Sequence, residues 1–290
     1  MSLIVNTNVG SLNAQRSLAA SGAELKTAME RLSSGKKINS AADDAAGFAI
    51  AERMTAQIRG LNMATKNVND GLALISVVDN ALSDVGDILQ RIRELAIQAS
   101  NDTNGTEDRI FLQTEVTVLV MEINRVADQT TYNGQKVLDG SFSNKSIQVG
   151  TESGQKVDFS INGIKPNEIG IDADANASPP VLASYVDNID ISLAETEFGA
   201  QAGLEVITAA IEQIAGDRAS YGALQNRLEY TVSNLMNVAE FTTDARSRIE
   251  DADFAAESAR LAKAQVLQQA GTAMLSQANA QSQLALSLIR

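Results

Sequence analysis

At 290 residues the chain is long enough for one large domain or two modest ones. Its formal net charge of -13 argues against a nucleic-acid partner or an anionic membrane surface, since both need a basic patch. It contains no His, Cys or Trp, which removes the Ser/His/Asp and Cys/His triads, Cys/His zinc sites and disulfides together. Aromatic residues make up only 4% of the chain against a hydrophobic content of 44%, so the apolar residues are mostly Ala, Leu, Ile and Val, a composition suited to long thin helical cores.

Met1 to Gln15 has neither a basic n-region nor a sustained apolar h-region, so no Sec-type signal peptide is expected, and no stretch has the length of a membrane span. All three prolines, Pro166, Pro179 and Pro180, fall in one central window, which predicts helical flanks around an irregular middle. Leu18, Leu25, Met29 and Leu32 share a face of an N-terminal helix that ends near Ser33-Ser34-Gly35. Ser34-Gly35-Lys36-Lys37 reads as a turn, because the spacing of a phosphate-binding loop is absent.

A second helix is expected from Asp43 to Ser100, roughly 85 Å long at about 1.5 Å per residue. Its seam runs Met54, Ile58, Leu61, Thr65, Val68, Leu72 and Ile75, then slips by two steps of three to Val78 and resumes through Leu82, Val85, Leu89, Ile92, Ala96 and Ala99. Such a slip is a stammer, which overwinds a supercoil locally. Asp43 and Asp44, with Glu52, are read as acids opposing a helix dipole rather than as metal ligands.

Asn101-Asp102-Thr103-Asn104-Gly105 breaks the rod, and Thr106, followed by Glu107 and Asp108, reads as the N-cap of a third helix. That helix has the seam Leu112, Val116, Leu119, Ile123 and Val126, ends near Asp128 and is expected to fold back antiparallel. After Asn133-Gly134, alternating Ile147/Val149 and Val157/Phe159/Ile161 around Thr151-Glu152-Ser153-Gly154 predict a β-hairpin. From Gly163 to Glu195 the periodicity is weak, which predicts a loop-rich surface insertion.

Heptads return with Leu204, Ile207, Ile211 and Ile214, then Tyr221, Leu224, Leu228 and Leu235. A break is expected near Thr242 to Asp244, with Ser247 and Glu250 at capping-box spacing. Leu267, Ala270, Met274, Leu284 and Leu288 carry a last helix almost to Arg290. The fold class is mainly α: a long antiparallel coiled-coil bundle with a small β-hairpin region and terminal helices that pair with each other. The expected division is 1-42 with 245-290 as a terminal coiled coil, 43-162 with 196-244 as a helical rod holding the hairpin at about 136-162, and 163-195 as a short variable insertion.

Ordering a terminal helix against one neighbour costs more backbone entropy than burying its few Leu, Ile and Met side chains returns. The termini are therefore expected to be disordered in a free subunit and to fold when other copies supply the remaining contacts. The assembly residues assigned from the sequence are Leu18, Leu25, Met29, Leu32, Leu267, Met274, Leu284 and Leu288. Four Asn-X-Ser/Thr sequons, at Asn101, Asn104, Asn144 and Asn176, are patterns that recur by chance in chains rich in Asn, Ser and Thr.

Ile4-Val5-Asn6-Thr7-Asn8, Glu30-Arg31-Leu32-Ser33-Ser34-Gly35 and Ile38 to Gly47 closely resemble the N-terminal signature of bacterial flagellins. Asn69-Asp70-Gly71, Gln90 to Ser100 and Tyr132-Asn133-Gly134-Gln135-Lys136-Val137-Leu138 continue that pattern in order. Gln225-Asn226-Arg227-Leu228, Ala245 to Asp253, Lys263 to Gly271 and Leu286 to Arg290 resemble its C-terminal part. The resemblance covers roughly 1-150 and 200-290.

It implies a non-catalytic structural subunit, without cofactor or metal, that polymerises with itself into an extracellular flagellar filament for swimming. The alternatives are a hook-filament junction protein, with related terminal helices, and an enzyme-bearing flagellin, which the short centre and missing His disfavour. The resemblance further implies secretion by type III export, an export chaperone on the C-terminal segment, and cap and hook-junction partners. Leu89, Gln90, Arg91 and Glu94 match the segment that an animal innate immune receptor detects in flagellins; the plain alternative is an exposed helix face with i,i+3 ion pairs.

Overall fold

A computed structural model of the protein describes residues 7-171, 184-192 and 200-287, with side chains to residue 280. Long helices dominate it: α1 Val9–Ser34, α2 Ala45–Ala99, α3 Thr106–Gln129, α4 Ala200–Glu250 and α5 Phe254–Ser287. Between α3 and α4 lie the short strands β1 Thr131–Tyr132, β2 Gln135–Lys136, β3 Lys145–Gln148, β4 Lys156–Phe159, β5 Gly170–Ile171 and β6 Ser184–Tyr185. Contacts divide the chain into two units, Met1–Arg59 with Ala239–Arg290, and Gly60–Val238.

The helix ends are set by short polar side chains. Asn8 accepts from the Ser11 N–H at the start of α1, and Gly35 ends it at φ 72, a left-handed conformation that glycine adopts without a Cβ penalty. The second helix begins at Ala45 rather than Asp43, because Asp44 is its cap, accepting from the N–H groups of Ala46 and Gly47. Asp43 instead closes the preceding turn, accepting from the Ser40 N–H at 2.9 Å and the Asn39 N–H at 3.1 Å, and these bonds hold its carboxyl below the usual range.

In the unit Gly60–Val238 the buried seam of α2 runs Leu61, Ala64, Val68, Gly71, Ile75, Val78, Leu82, Val85, Leu89, Ile92, Ala96 and Ala99. These positions alternate in steps of three and four throughout, so the expected stammer is absent. The slip came from placing Leu72 in the seam where Gly71 belongs. A Cβ on Gly71 would lie 2.3 Å from Ile147 Cδ1, so the missing side chain leaves room for the hairpin to reach the helix. Helix α3 runs antiparallel to α2, with Arg91 bonded to Glu115, and α4 does too, with Arg218 on Asp79 and Gln225 on Ser76.

Gly105, not Thr106, is the N-cap of α3, because the Asp108 carboxylate reaches back to accept the Gly105 N–H at 3.1 Å. Of its expected seam, Val116 and Ile123 are buried and Leu112, Leu119 and Val126 half-buried. Asn133 (φ 50) and Gly134 (φ 76) form the turn between β1 and β2. The expected hairpin is β3 with β4, which pairs buried Ile147 with buried Val157.

The segment from Gly163 to Glu195 is less superficial than its composition implies. Ile164, Ile169, Val186, Ile189 and Ile191 are all buried, and Gln113 of α3 holds the chain by donating to the Ile189 carbonyl and accepting from the Ile191 N–H. Single isoleucines spaced along irregular backbone give no periodic signal, although they are buried as fully as the seam residues of α2. Residues 172-183 and 193-199 of this stretch lie outside the described residues.

The fourth helix passes without interruption through Thr242 to Asp244 and ends at Glu250. Thr243 bonds back to the Ala239 carbonyl and Asp244 pairs with Arg248 on an exposed face, so these polar residues interrupt nothing. The break lies at 251-253: Ser247 bonds Asp251 instead of forming a capping box, and Asp253 caps α5 by accepting from Ala255 and Ala256.

Candidate assembly surfaces

In the terminal unit α1 and α5 pair antiparallel, with Asn8 donating to the Ala278 carbonyl at 2.8 Å, Leu18 beside Gly271, and Arg31 3.8 Å from Glu257. Among the less exposed positions of α1, which also include Gly22 and Arg31, Ser11, Ala14, Leu18, Ser21, Leu25, Ala28 and Leu32 form one series; on α5, beside Ser258, the series is Glu257, Leu261, Ala264, Gln268, Gly271, Leu275 and Ala278. Both series alternate steps of three and four, the coiled-coil pattern. Many are Ser, Ala or Gly, which lets the two backbones approach closely, and this is the closest helix pairing among the described residues.

One end of the seam is charged. Glu257 is only 6% exposed and faces Arg31 on α1 and Arg260 on its own helix, 3.2 Å away. Backbone pairing then ties the α1–α2 turn to the α4–α5 joint. The Lys37 N–H donates to the Glu250 carbonyl, the Ala252 N–H to the Gly35 carbonyl, and Lys36 forms an ion pair with Glu250.

The residues assigned to assembly divide between two faces. Leu18, Leu25 and Leu32 are half-buried in the α1–α5 seam, whereas Met29, Leu267 and Met274 are exposed, together with Val9, Leu12 and Val266. The shared face read for Met29 with the leucines is thus corrected: Ala28, one residue earlier, holds the seam position. Leu284 lies on α5 where side chains are not described, and Leu288 lies outside the described residues. Reading by hydropathy missed Ser11, Ser21 and Gly271, whose smallness is the signal, and Leu261 and Leu275, which sit one position off the stripe of larger residues.

Of the receptor-like segment, Leu89 is fully buried in the α2 seam, so only Gln90, Arg91 and Glu94 offer exposed side chains. Arg91 bonds Glu94 and Glu115, both at 2.9 Å, and these bonds raise its pKa. Glu115 belongs to α3, so sequence spacing alone could not pair it with Arg91.

Charge is unevenly placed along the chain. Residues 1-35 carry three basic and two acidic side chains and residues 254-290 three basic and one acidic, so the two terminal stretches are net positive while the remainder carries a formal -16. In the unit Gly60–Val238, Asp217 is half-buried beneath Asn162, whose side-chain amide donates to it at 2.8 Å; burial raises the Asp217 pKa against that bond. A carboxyl whose folded pKa is raised contributes stability below its unfolded pKa, and that contribution is lost as pH rises through the folded value. Asp217→Asn is therefore expected to stabilise the subunit at pH 7 relative to the native chain. The difference should shrink as pH falls towards the unmodified aspartate value of 3.8; thermal unfolding at pH 7 and pH 4 checks this, and an equal difference at both would refute it.

Among the described residues no cluster of three or more acidic side chains could hold a metal, and no helix is long and apolar enough to cross a membrane. One unit built from both chain ends, which pairs α1 with α5 as a coiled coil and leaves apolar side chains on their outer faces, and a second, internal unit of long helices define a helical, coiled-coil class of protein. Residues 5-143 match the family model for the bacterial flagellin N-terminal helical region, and residues 204-289 that for the C-terminal helical region. A flagellin of Halalkalibacterium halodurans is 41% identical over 99% of this chain and 100% of its own, and one of Bacillus subtilis 40% identical over 99% of each. The crystal structure of FlgL from Xanthomonas campestris shares the fold at 16% identity, covering 67% of this chain and 98% of that one with a TM-score of 0.50.

The chain belongs to the bacterial flagellin family. It is a structural subunit that polymerises into the flagellar filament, not an enzyme, and the hook-filament junction reading is not favoured.

Proposed function

We propose that the filament is built on the terminal pair, residues 1-42 with 245-290, as its inner layer, with 43-162 and 196-244 as a rod outside it and 163-195 adding little surface decoration. The observation that supports this is the outer face of the α1–α5 pair: Val9, Leu12, Met29, Val266, Leu267 and Met274 stay exposed after the two helices have packed on each other. Leaving such residues in water on a narrow helical pair is unfavourable, and neighbouring copies would bury them. Leu18, Leu25 and Leu32 then hold each subunit's own pair together, while Met29, Leu267 and Met274 meet other copies.

Around this core the family resemblance supports secretion through type III export, a chaperone that covers the C-terminal segment before assembly, and cap and hook-junction proteins at the filament's ends. It also supports recognition of the free subunit by an animal innate receptor through the exposed Gln90, Arg91 and Glu94. Filament packing would cover that face, so recognition would be a property of shed monomer.

The experiment is seeded growth on sheared filament fragments, followed by negative-stain electron microscopy, with the intact chain and a chain lacking residues 1-35. Long filaments from the intact chain alone are expected. Equal growth from both would overturn the inner-layer role, and short terminating caps from the intact chain would favour a junction protein.

A further inference from the structure

Six of the chain's seven methionines fall among the residues whose side chains are described, and none of them contributes to the buried core, which Leu, Ile and Val dominate. Met29, Met63, Met121, Met236 and Met274 are each 56% to 63% exposed, Met54 is half-buried, and no methionine joins the buried core among the described residues. Leu, Ile and Val fill that core instead. Three of the exposed methionines belong to the unit Gly60–Val238, on α2, α3 and α4 respectively. Two of these share a level: Arg218 bonds Asp79, Gln225 bonds Ser76 and Leu228 lies near Gly71, an antiparallel offset that brings Met63 and Met236 to the same height. The other two, Met29 and Met274, stand on α1 and α5 in the terminal unit.

An unbranched thioether adapts its shape to an irregular or changing neighbour, which suits a contact that must re-pack, and it is also the apolar side chain most readily oxidised. We propose that these five methionines form an oxidation-sensitive part of the surface that a second copy of this chain covers, so that the free subunit carries a redox modification site controlling its polymerisation. This rests on the reading that copies pack on the exposed helix faces. The co-reactant is a peroxide. A lone pair on the methionine Sδ attacks one peroxide oxygen, the O–O bond breaks, the sulfur is oxidised to the sulfoxide and the peroxide is reduced to water. A methionine sulfoxide reductase with a thiol donor reverses the change, releasing the oxygen as water and converting two thiols to a disulfide.

The product is polar where the thioether was not. A sulfoxide buried against a second copy without a hydrogen-bond donor carries a desolvation penalty, whereas on a subunit in water it carries almost none. Oxidation should therefore spare the fold of the subunit and impair its joining. Once a filament has formed, the same sulfurs are covered and protected.

The test treats intact monomer with hydrogen peroxide, maps sulfoxides by mass spectrometry, confirms unchanged helicity by circular dichroism, and measures seeded elongation before and after. Elongation is expected to slow by at least about fivefold, to recover on treatment with methionine sulfoxide reductases and dithiothreitol, and to be insensitive to peroxide in the M29L/M63L/M121L/M236L/M274L chain. Peroxide on assembled filaments should modify these positions more slowly than on monomer. Unchanged elongation after oxidation of all five, or equal oxidation in monomer and filament, would overturn the proposal. If the quintuple variant does not grow, reductase rescue of the oxidised native chain decides alone. Failure of the untreated chain to elongate would instead count against polymerisation through these faces, a distinguishable result.

Discussion

Leu89→Ala is expected to lower the stability of the unit Gly60–Val238 by about 3 kcal/mol. Leu89 is 0% exposed, between Val85 and Ile92 in the unbroken α2 seam, where every neighbouring seam position is also buried. Truncation there removes a full side chain's transfer energy and leaves a cavity that helices anchored on both flanks cannot collapse to fill. Denaturant unfolding of the purified subunit measures it, and a loss below about 1 kcal/mol would mean that the seam tolerates collapse. Gln90→Ala and Arg91→Ala, on the solvent face of the same turn, should each change stability by less than about 0.5 kcal/mol. The contrast bears on the receptor-like segment. A Leu89 variant that loses receptor response does so through the fold, whereas an Arg91 or Glu94 variant that loses it with stability intact reports the surface.

In the terminal unit, Glu257→Ala is expected to raise the critical concentration for filament growth about thirtyfold, the equivalent of ~2 kcal/mol per subunit. Glu257 is buried where α5 meets Arg31 of α1, and Arg31 keeps only a fifth of its side-chain surface. Removing the carboxylate leaves that guanidinium enclosed, its Nε already without a hydrogen-bond partner. The figure lies below that for a fully buried pair because Arg31 and especially Arg260 retain solvent. Sedimentation of filaments from a concentration series gives the critical concentration; a change under about threefold would show that the pair contributes little to joining. Arg260→Ala, removing the more exposed partner, should have the smaller effect.

Hydropathy period alone determined that this chain is made of long helices, that the second and fourth carry heptad seams, and that a hairpin lies around Thr151 to Gly154; its register, Ile147 opposite Val157, is a feature of the structure. Those readings hold because a large apolar residue every three or four positions has few stable placements other than one side of a helix packed against another. The motifs at both ends carried the family and with it the function. What the sequence did not disclose shares one physical cause. Gly71, Ala64, Ser21 and Gly271 lie in seams because they are small, and a scale that scores apolar size passes over them, which produced a stammer that does not exist and put Met29 on the seam side of its helix. Ile164, Ile169 and Ile191 are buried on irregular backbone, with Ile191 held by Gln113 of α3, so their local pattern gave no sign of it. The break after α4 fell at 251-253 rather than at Thr242 to Asp244 because it is fixed from outside the helix, by the Lys37 and Ala252 amide bonds that tie it to the turn after α1. Local periodicity determined which residues are helical; only tertiary contact decided where large side chains give way to small ones and which apolar residues are left uncovered for another copy.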